Sequence, residues 1–205
     1  MAFSADRLFG INANSSTEKV EQNGQSAETK ESTTTIALLW GSSSSGGTVG
    51  NPSAIPRLSF DYFVMDGLSV GGSLGYFAAS GTVEAGGQKN DLTKVSGWAF
   101  APRVVYALMF TDMIGFWPRG GITYWNAGSE TQGTNKVTTT ASGFDLNIEA
   151  PFIITPTPHF AFTAGPLLDF GVSGSVKTDP NPTNAPEPSL KHTNFGLAFG
   201  ILGYL

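Results

Sequence analysis

From Asn194 to Leu205 the chain reads NFGLAFGILGYL. Phe195, Leu197, Phe199 and Ile201 fall at every second place, with Gly196, Ala198 and Gly200 between them. A period of two, bulky on one side and small on the other, predicts a β-strand with one greasy face. The alternation recurs upstream. His159 to Val172 sets Phe160, Phe162, Ala164, Pro166, Leu168, Phe170 and Val172 against His159, Thr163, Gly165 and Asp169. Ser142 to Ile154 sets Phe144, Leu146, Ile148 and Phe152 against Asp145, Asn147 and Glu149. Ile114 to Ala127 sets Phe116, Ile122 and Tyr124 against Arg119 and Thr123. Gly97 to Leu108 sets Trp98, Phe100, Val104, Tyr106 and Leu108 against Ala99, Ala101, Arg103 and Ala107. Leu68 to Ser80 and Pro56 to Val64 repeat it, the latter with Leu58, Phe60, Tyr62 and Val64 opposite Arg57, Ser59 and Asp61.

These segments supply seven strands. Phe3 to Asn12 is assigned as strand one, because both chain ends at one rim require an even number. Thr34–Trp40 then belongs to an extended hairpin in a long first loop, about 14–55. Ten strands would need a further one near Gly46–Ala54, or an inserted turn at Ser42–Ser45. Connections alternate in length. Short turns are predicted at Met65-Asp66-Gly67, Thr111-Asp112-Met113 and Thr155-Pro156-Thr157-Pro158, and long polar loops near Thr82–Lys94, Gly128–Thr140 and Ser173–Lys191. Short turns at one rim and long loops at the other are the habit of a transmembrane barrel. The expected fold is therefore all-β: one domain over 1–205, an antiparallel up-and-down transmembrane β-barrel of eight strands, with ten as the alternative.

Composition decides which face meets what. Charged residues make up only 13% of the chain, while Gly 26 and Phe 15 are both high. A soluble, ligand-binding barrel would carry scattered lysine and glutamate outside. Here the non-apolar face is Gly, Ala, Ser and Thr with a few arginines and acids, which suits a packed polar interior and lipid outside. The lysines lie in polar, loop-like stretches, whereas Arg7, Arg57, Arg103 and Arg119 lie in strand-like ones. The interior charge network is expected to comprise Arg57, Asp61, Arg103, Arg119, Asp145, Glu149 and Asp169. A lone charge there would be costly, so arginine–carboxylate pairing across the barrel is predicted. A salt-bridged plug is the first reading of that network; a narrow selective channel or proton path is the alternative. Aromatic girdles are expected at the two rims, built from Tyr62, Phe116, Trp117 and Tyr204 near the short turns and from Trp98, Tyr124 and Trp125 near the long loops.

Other chemistry finds little material. There is no cysteine and there are two histidines, so no metal and no cofactor is expected. The net charge of -5 argues against a nucleic-acid partner. His192, with Ser189 and Thr193 nearby, is the one place for a hydrolase at the outer rim; the expectation is that the protein is not an enzyme. Met1-Ala2-Phe3 lacks the basic region and apolar run of a signal peptide, so an exported form is expected to have had a leader in their place.

The stretch Leu58–Tyr76, LSFDYFVMDGLSVGGSLGY, and the terminal strand Phe195–Leu205 resemble the small outer-membrane β-barrel family, the OmpA/OmpX-like group. The resemblance covers almost the whole chain. It departs at the C-terminus, where Leu205 follows Tyr204 in place of a final aromatic residue and Gly203 stands where an apolar residue is usual. It implies the outer membrane of a Gram-negative bacterium, lipopolysaccharide and phospholipid as neighbours, the outer-membrane assembly machinery as a partner, and surface loops that bind a ligand the sequence does not identify. A monomer is expected. The histidine–any–serine–asparagine spacing of the lipid A deacylases is not reproduced at His192-Thr193-Asn194, so that activity is not carried over. The reading is a structural or interaction role, with a narrow passive pore and a rim lipid-modifying enzyme as alternatives.

Overall fold

The computed structural model describes residues 1–22, 25–38, 41–42, 55–85, 88–131, 136–181 and 186–205. The alternating segments become antiparallel strands that close on themselves. β1 (Ala2–Gln22) rises from the short-turn rim, and β2 (Gln25–Leu38) returns beside it, continued by the short β3 (Gly41–Ser42). β4 (Arg57–Met65) and β5 (Leu68–Ala79) form the first tight hairpin. β6 (Thr82–Ala85) and β7 (Gln88–Asp91) are a separate small ribbon in the next loop. β8 (Lys94–Tyr106), β9 (Leu108–Met109), β10 (Ile114–Phe116), β11 (Arg119–Glu130), β12 (Thr138–Glu149), β13 (Phe152–Thr157), β14 (Phe160–Asp179) and β15 (Ser189–Tyr204) complete the chain.

Among the described residues the ring has eight positions, in the order β1, β4, β5, β8, β11, β12, β14, β15 and back to β1. The shorter pieces are interruptions of these. β9 extends β8, β10 leads into β11 past Trp117-Pro118, and β13 extends β12 past Ala150-Pro151. A proline gives no N–H to the ladder, so strands break there without losing their course. The eight-stranded expectation therefore holds, and the candidate tenth-strand segment Gly46–Ala54 lies outside the described residues, as does Trp40.

The first strand is longer than the sequence pattern marked. β1 pairs with β15 from Ala2 to Lys19, with β4 over Ala2–Asp6 and with β2 over Phe9–Gln22. β4 and β2 thus occupy the same side of β1, one low and one high. Above the apolar band the β1–β2 ribbon is polar and exposed from Gln25 to Ser32 on both faces. Its charges pair along the ribbon, Lys19 with Glu21 and Lys30 with Glu28. β14 and β15 run on in the same way, so both ends of the loop expected over Ser173–Lys191 are strand, and His192 belongs to the wall.

Outward residues form a continuous apolar belt that includes Phe3, Leu58, Phe60, Leu74, Phe100, Ile122, Leu146, Phe162, Phe170, Phe195 and Phe199. Phe3–Phe60, Phe9–Phe199 and Phe116–Phe152 touch across strands with ring centroids 5.1, 5.3 and 5.3 Å apart. An uninterrupted exposed belt of this extent is intolerable in water and is what a closed sheet needs in lipid. At the short-turn rim Gly67, with φ of 76°, closes the Asp66-Gly67 turn in the left-handed region. The next turn is held by Thr111, whose Oγ1 accepts from the backbone N–H groups of Met113 and Ile114 at 3.2 and 3.0 Å.

Candidate functional site

The inward residues are stacked in layers. At the short-turn end Ala2, Val105, Trp117, Ile153, Ala161 and Leu202 form a dry cluster, with Phe63, Ala107 and Tyr204 packed against it. Trp117 is only 1% exposed.

The next layer is ionic, and it contains all seven residues expected of the interior network except Asp145. The Arg103 Nε and Nη2 donate to Asp61 at 3.0 and 2.5 Å, a two-pronged pair, while Nη1 donates to Asp6 at 2.6 Å. Arg119 donates from Nη1 to Asp6 at 3.0 Å and from Nε to Glu149 at 2.5 Å. Arg7 donates to both oxygens of Asp169 at 2.9 and 2.8 Å, and from Nε to Glu149 at 3.0 Å. Asp169 is also held by Asn194, at 3.0 Å, and by Asn147. Arg57 is different. Its Nη1 donates to Thr123 Oγ1 at 3.1 Å, and no described carboxylate lies within ion-pair distance. The arginines are used as planar forks, which fix both distance and direction.

Two central members of this layer, Asp6 and Arg7, were not anticipated. Alternation through Phe3, Ala5 and Phe9 turns Arg7 toward lipid. The structure instead inserts a bulge: from Ala5 to Phe9 the chain advances four residues while its partner advances two, from Ile201 to Phe199. Arg7 adopts φ of 56° there. Both Asp6 and Arg7 then point inward and are buried. A bulge re-aims a side chain at the cost of one strained residue. The available signal was an arginine at a lipid-facing place in a strand, which the bilayer does not tolerate.

Above the ionic layer lies a third group. Asp145 accepts from Trp125 Nε1 at 2.9 Å and contacts His192 Nε2 at 3.1 Å, and the Trp125 and His192 rings meet edge to face at 5.5 Å. Trp125 packs there with the buried Ala99 and Ala141, and Val176 and Leu190 lie against them. Two expected girdle members are thereby corrected. Trp117 and Trp125 line the lumen, because both share the parity of Arg119 and Thr123 on one strand course. Tyr204 is half-buried against the short-turn cluster. Tyr62 and Trp98 are exposed on the outer face, and Phe116 and Tyr124 are half-buried there, the Tyr124 ring tilted against Trp98 with centroids 5.2 Å apart. His192, read from sequence as a loop residue beside Ser189 and Thr193, sits inside the wall instead. No group of three or more potential metal ligands occurs among the described residues.

No protein-family model matches the sequence, and comparison with curated proteins finds no match. Solved structures do match. The outer membrane protein OprG from Pseudomonas aeruginosa aligns with a TM-score of 0.54 and 13% identity, over 100% of this chain and 96% of that one. Neisserial surface protein A aligns with a TM-score of 0.50 and 12% identity, over 98% and 99%. The outer membrane protease OmpT from Escherichia coli aligns with a TM-score of 0.50 and 10% identity, over 100% and 97%. Identities this low speak for shared fold alone. With its closed ring of eight strands, its lipid-facing belt and its polar core, the chain has the fold of the small outer-membrane β-barrels.

Proposed function

We propose that the protein is a non-conducting barrel of the bacterial outer membrane that anchors its long-loop end at the cell surface, where the extended strands and loops make the functional contacts. One observation carries this reading: the described lumen is filled at three successive levels, by the Trp117 cluster, by the arginine–carboxylate layer and by the Trp125–His192–Asp145 group. A hydrated path would have to open a dry cluster and break several desolvated ion pairs. The outer belt makes lipid the immediate neighbour, and Tyr62 and Trp98 stand on the outer face as interfacial anchors. The polar ribbon from Gln25 to Ser32 presents hydroxyls and paired charges beyond that belt. This favours an interaction role for a partner in the surrounding medium. A protease is among the solved structures that share the fold. Against a rim hydrolase stands the position of His192, whose ring is buried beside Trp125 and engaged with Asp145.

Single-channel recording in planar bilayers tests the reading, after folding is verified by a heat-dependent gel shift. Folded, inserted and electrically silent protein is expected. Steady openings that change in Arg103→Ala or Arg119→Ala would overturn it in favour of a narrow pore.

A further inference from the structure

We propose that the lumen binds one small monovalent anion, of halide size, beside Arg57. The residue is 4% exposed. Its Nε has no hydrogen-bond partner in the protein, and its described polar contact is the neutral Thr123 hydroxyl. Every carboxylate of the layer is engaged elsewhere: Asp61 by Arg103, Asp6 by Arg103 and Arg119, Glu149 by Arg119 and Arg7, Asp169 by Arg7. Asp145 faces Trp125 and His192. Arg57 is therefore a buried cation without a contact anion, which is among the costlier arrangements a protein interior can hold.

Beside it is a cavity of about 20 Å³. Arg57, Arg103 and Arg119 line it together with Ser73 and Asn147, and Glu149 is the one carboxylate on its boundary. The space exceeds the roughly 10–15 Å³ that a single water needs and is far too small for a polyatomic oxyanion such as sulfate. A water in that space could accept an N–H from Arg57 but would bring no negative charge into contact with it. A halide accepts the same N–H and supplies the missing contact charge. One unit of charge suits the place, since the surrounding carboxylates would repel a second. The wall beside the cavity is built from Pro102, Gly120 and Gly121, so no bulky side chain intrudes on it.

Refolded protein crystallised in bromide gives the direct test. Anomalous scattering is expected to show a bromide in hydrogen-bond reach of Arg57 Nε, and to lose it in Arg57→Gln. A cavity holding water alone, or a bromide that persists there in Arg57→Gln, overturns the assignment. A second readout needs no variant crystal. The midpoint of the heat-dependent gel shift should rise as chloride replaces gluconate at constant ionic strength in the wild-type barrel, since a ligand bound only by the folded form stabilises it. It should stay flat in Arg57→Gln. Equal midpoints in chloride and gluconate for the wild-type protein would also overturn the proposal. Neither readout depends on whether the barrel conducts.

Discussion

Asp61 and Arg103 provide the sharpest test of the ionic layer. Asp61 is 0% exposed, and its described partner is the Arg103 fork at 3.0 and 2.5 Å. Arg103→Ala leaves that carboxylate buried without a counter-charge. Asp6, the other acid Arg103 touches, keeps Arg119 at 3.0 Å and the Ser59 hydroxyl at 2.5 Å. The damage should therefore concentrate on Asp61, and breaking one side of a buried pair costs about 3–5 kcal/mol. With a urea slope of about 1–3 kcal/mol per molar for a small protein, the midpoint should fall by at least about 1 M. Removing the stranded charge should restore much of it: Arg103→Ala combined with Asp61→Asn is expected to unfold at higher urea than Arg103→Ala alone. Equilibrium unfolding in lipid vesicles, followed by tryptophan fluorescence and gel shift, gives the comparison as a double-mutant cycle. If Arg103→Ala lies within about 0.5 kcal/mol of wild type, or if Asp61→Asn brings no rescue, the pair does not hold the core and the reasoning fails.

Other substitutions separate packing from polarity. Trp125→Phe removes a hydrogen bond to a carboxylate and should cost about 1.5–3 kcal/mol beyond packing, whereas Trp117→Phe loses an indole N–H that has no protein partner and should cost only packing; urea midpoints of the two variants check the contrast. Gly171→Ala would set a Cβ 2.9 Å from the backbone N and O of His192, so a loss of roughly 1–3 kcal/mol is expected in the same assay. Single-tryptophan variants in brominated lipid should show Trp98 quenched and Trp117 and Trp125 protected, reversing the girdle assignment that rim position alone suggests. In the exposed ribbon, Lys19 is raised and Glu21 lowered by their mutual hydrogen bond. That contact is fully solvated, and Glu21→Gln should leave the unfolding midpoint unchanged.

Most of the wall was legible because a closed sheet in lipid must alternate, and every strand with a greasy face declared its inner residues by parity. Arg57, Asp61, Arg103, Arg119, Asp145, Glu149 and Asp169 all lie on the lumen side for that reason. What the pattern concealed falls into two kinds. The bulge at Asp6-Arg7 breaks parity locally, and only the incompatibility of a guanidinium with lipid hints at it. The Trp117, Trp125 and His192 placements follow parity faithfully; they are obscured because tryptophan habitually seeks interfaces and His192 has polar neighbours in the sequence. Extending the even-numbered inner face of Gly196, Ala198 and Gly200 by two more steps reaches Asn194 and His192, both buried. Parity is enforced by the bilayer on every residue it touches, whereas residue-type preference is an average, so parity deserved the greater weight.

The layering also bears on why so much charge is kept in so small a lumen. Apolar side chains of similar volume would often be no less stable than buried ion pairs. They would pack with little preference for register, and a one-residue slip in a strand exchanges lipid face for lumen face. The forks at Arg7, Arg103 and Arg119 link β1 to β4, β8, β11, β12 and β14, with several contacts spanning more than 90 residues of sequence. Arg103 meets Asp61 two-pronged only if β4 and β8 each hold register against the β5 strand between them. Such a network is satisfied in one arrangement of the ring and leaves buried charges stranded in its neighbours. Register specification, more than net stability, is thus the physical use of these pairs. It predicts that a fully apolar replacement of Arg7, Asp169 and Glu149 would still insert into vesicles yet give a heterogeneous gel-shifted species, whereas one sharp wild-type-like band would count against this role.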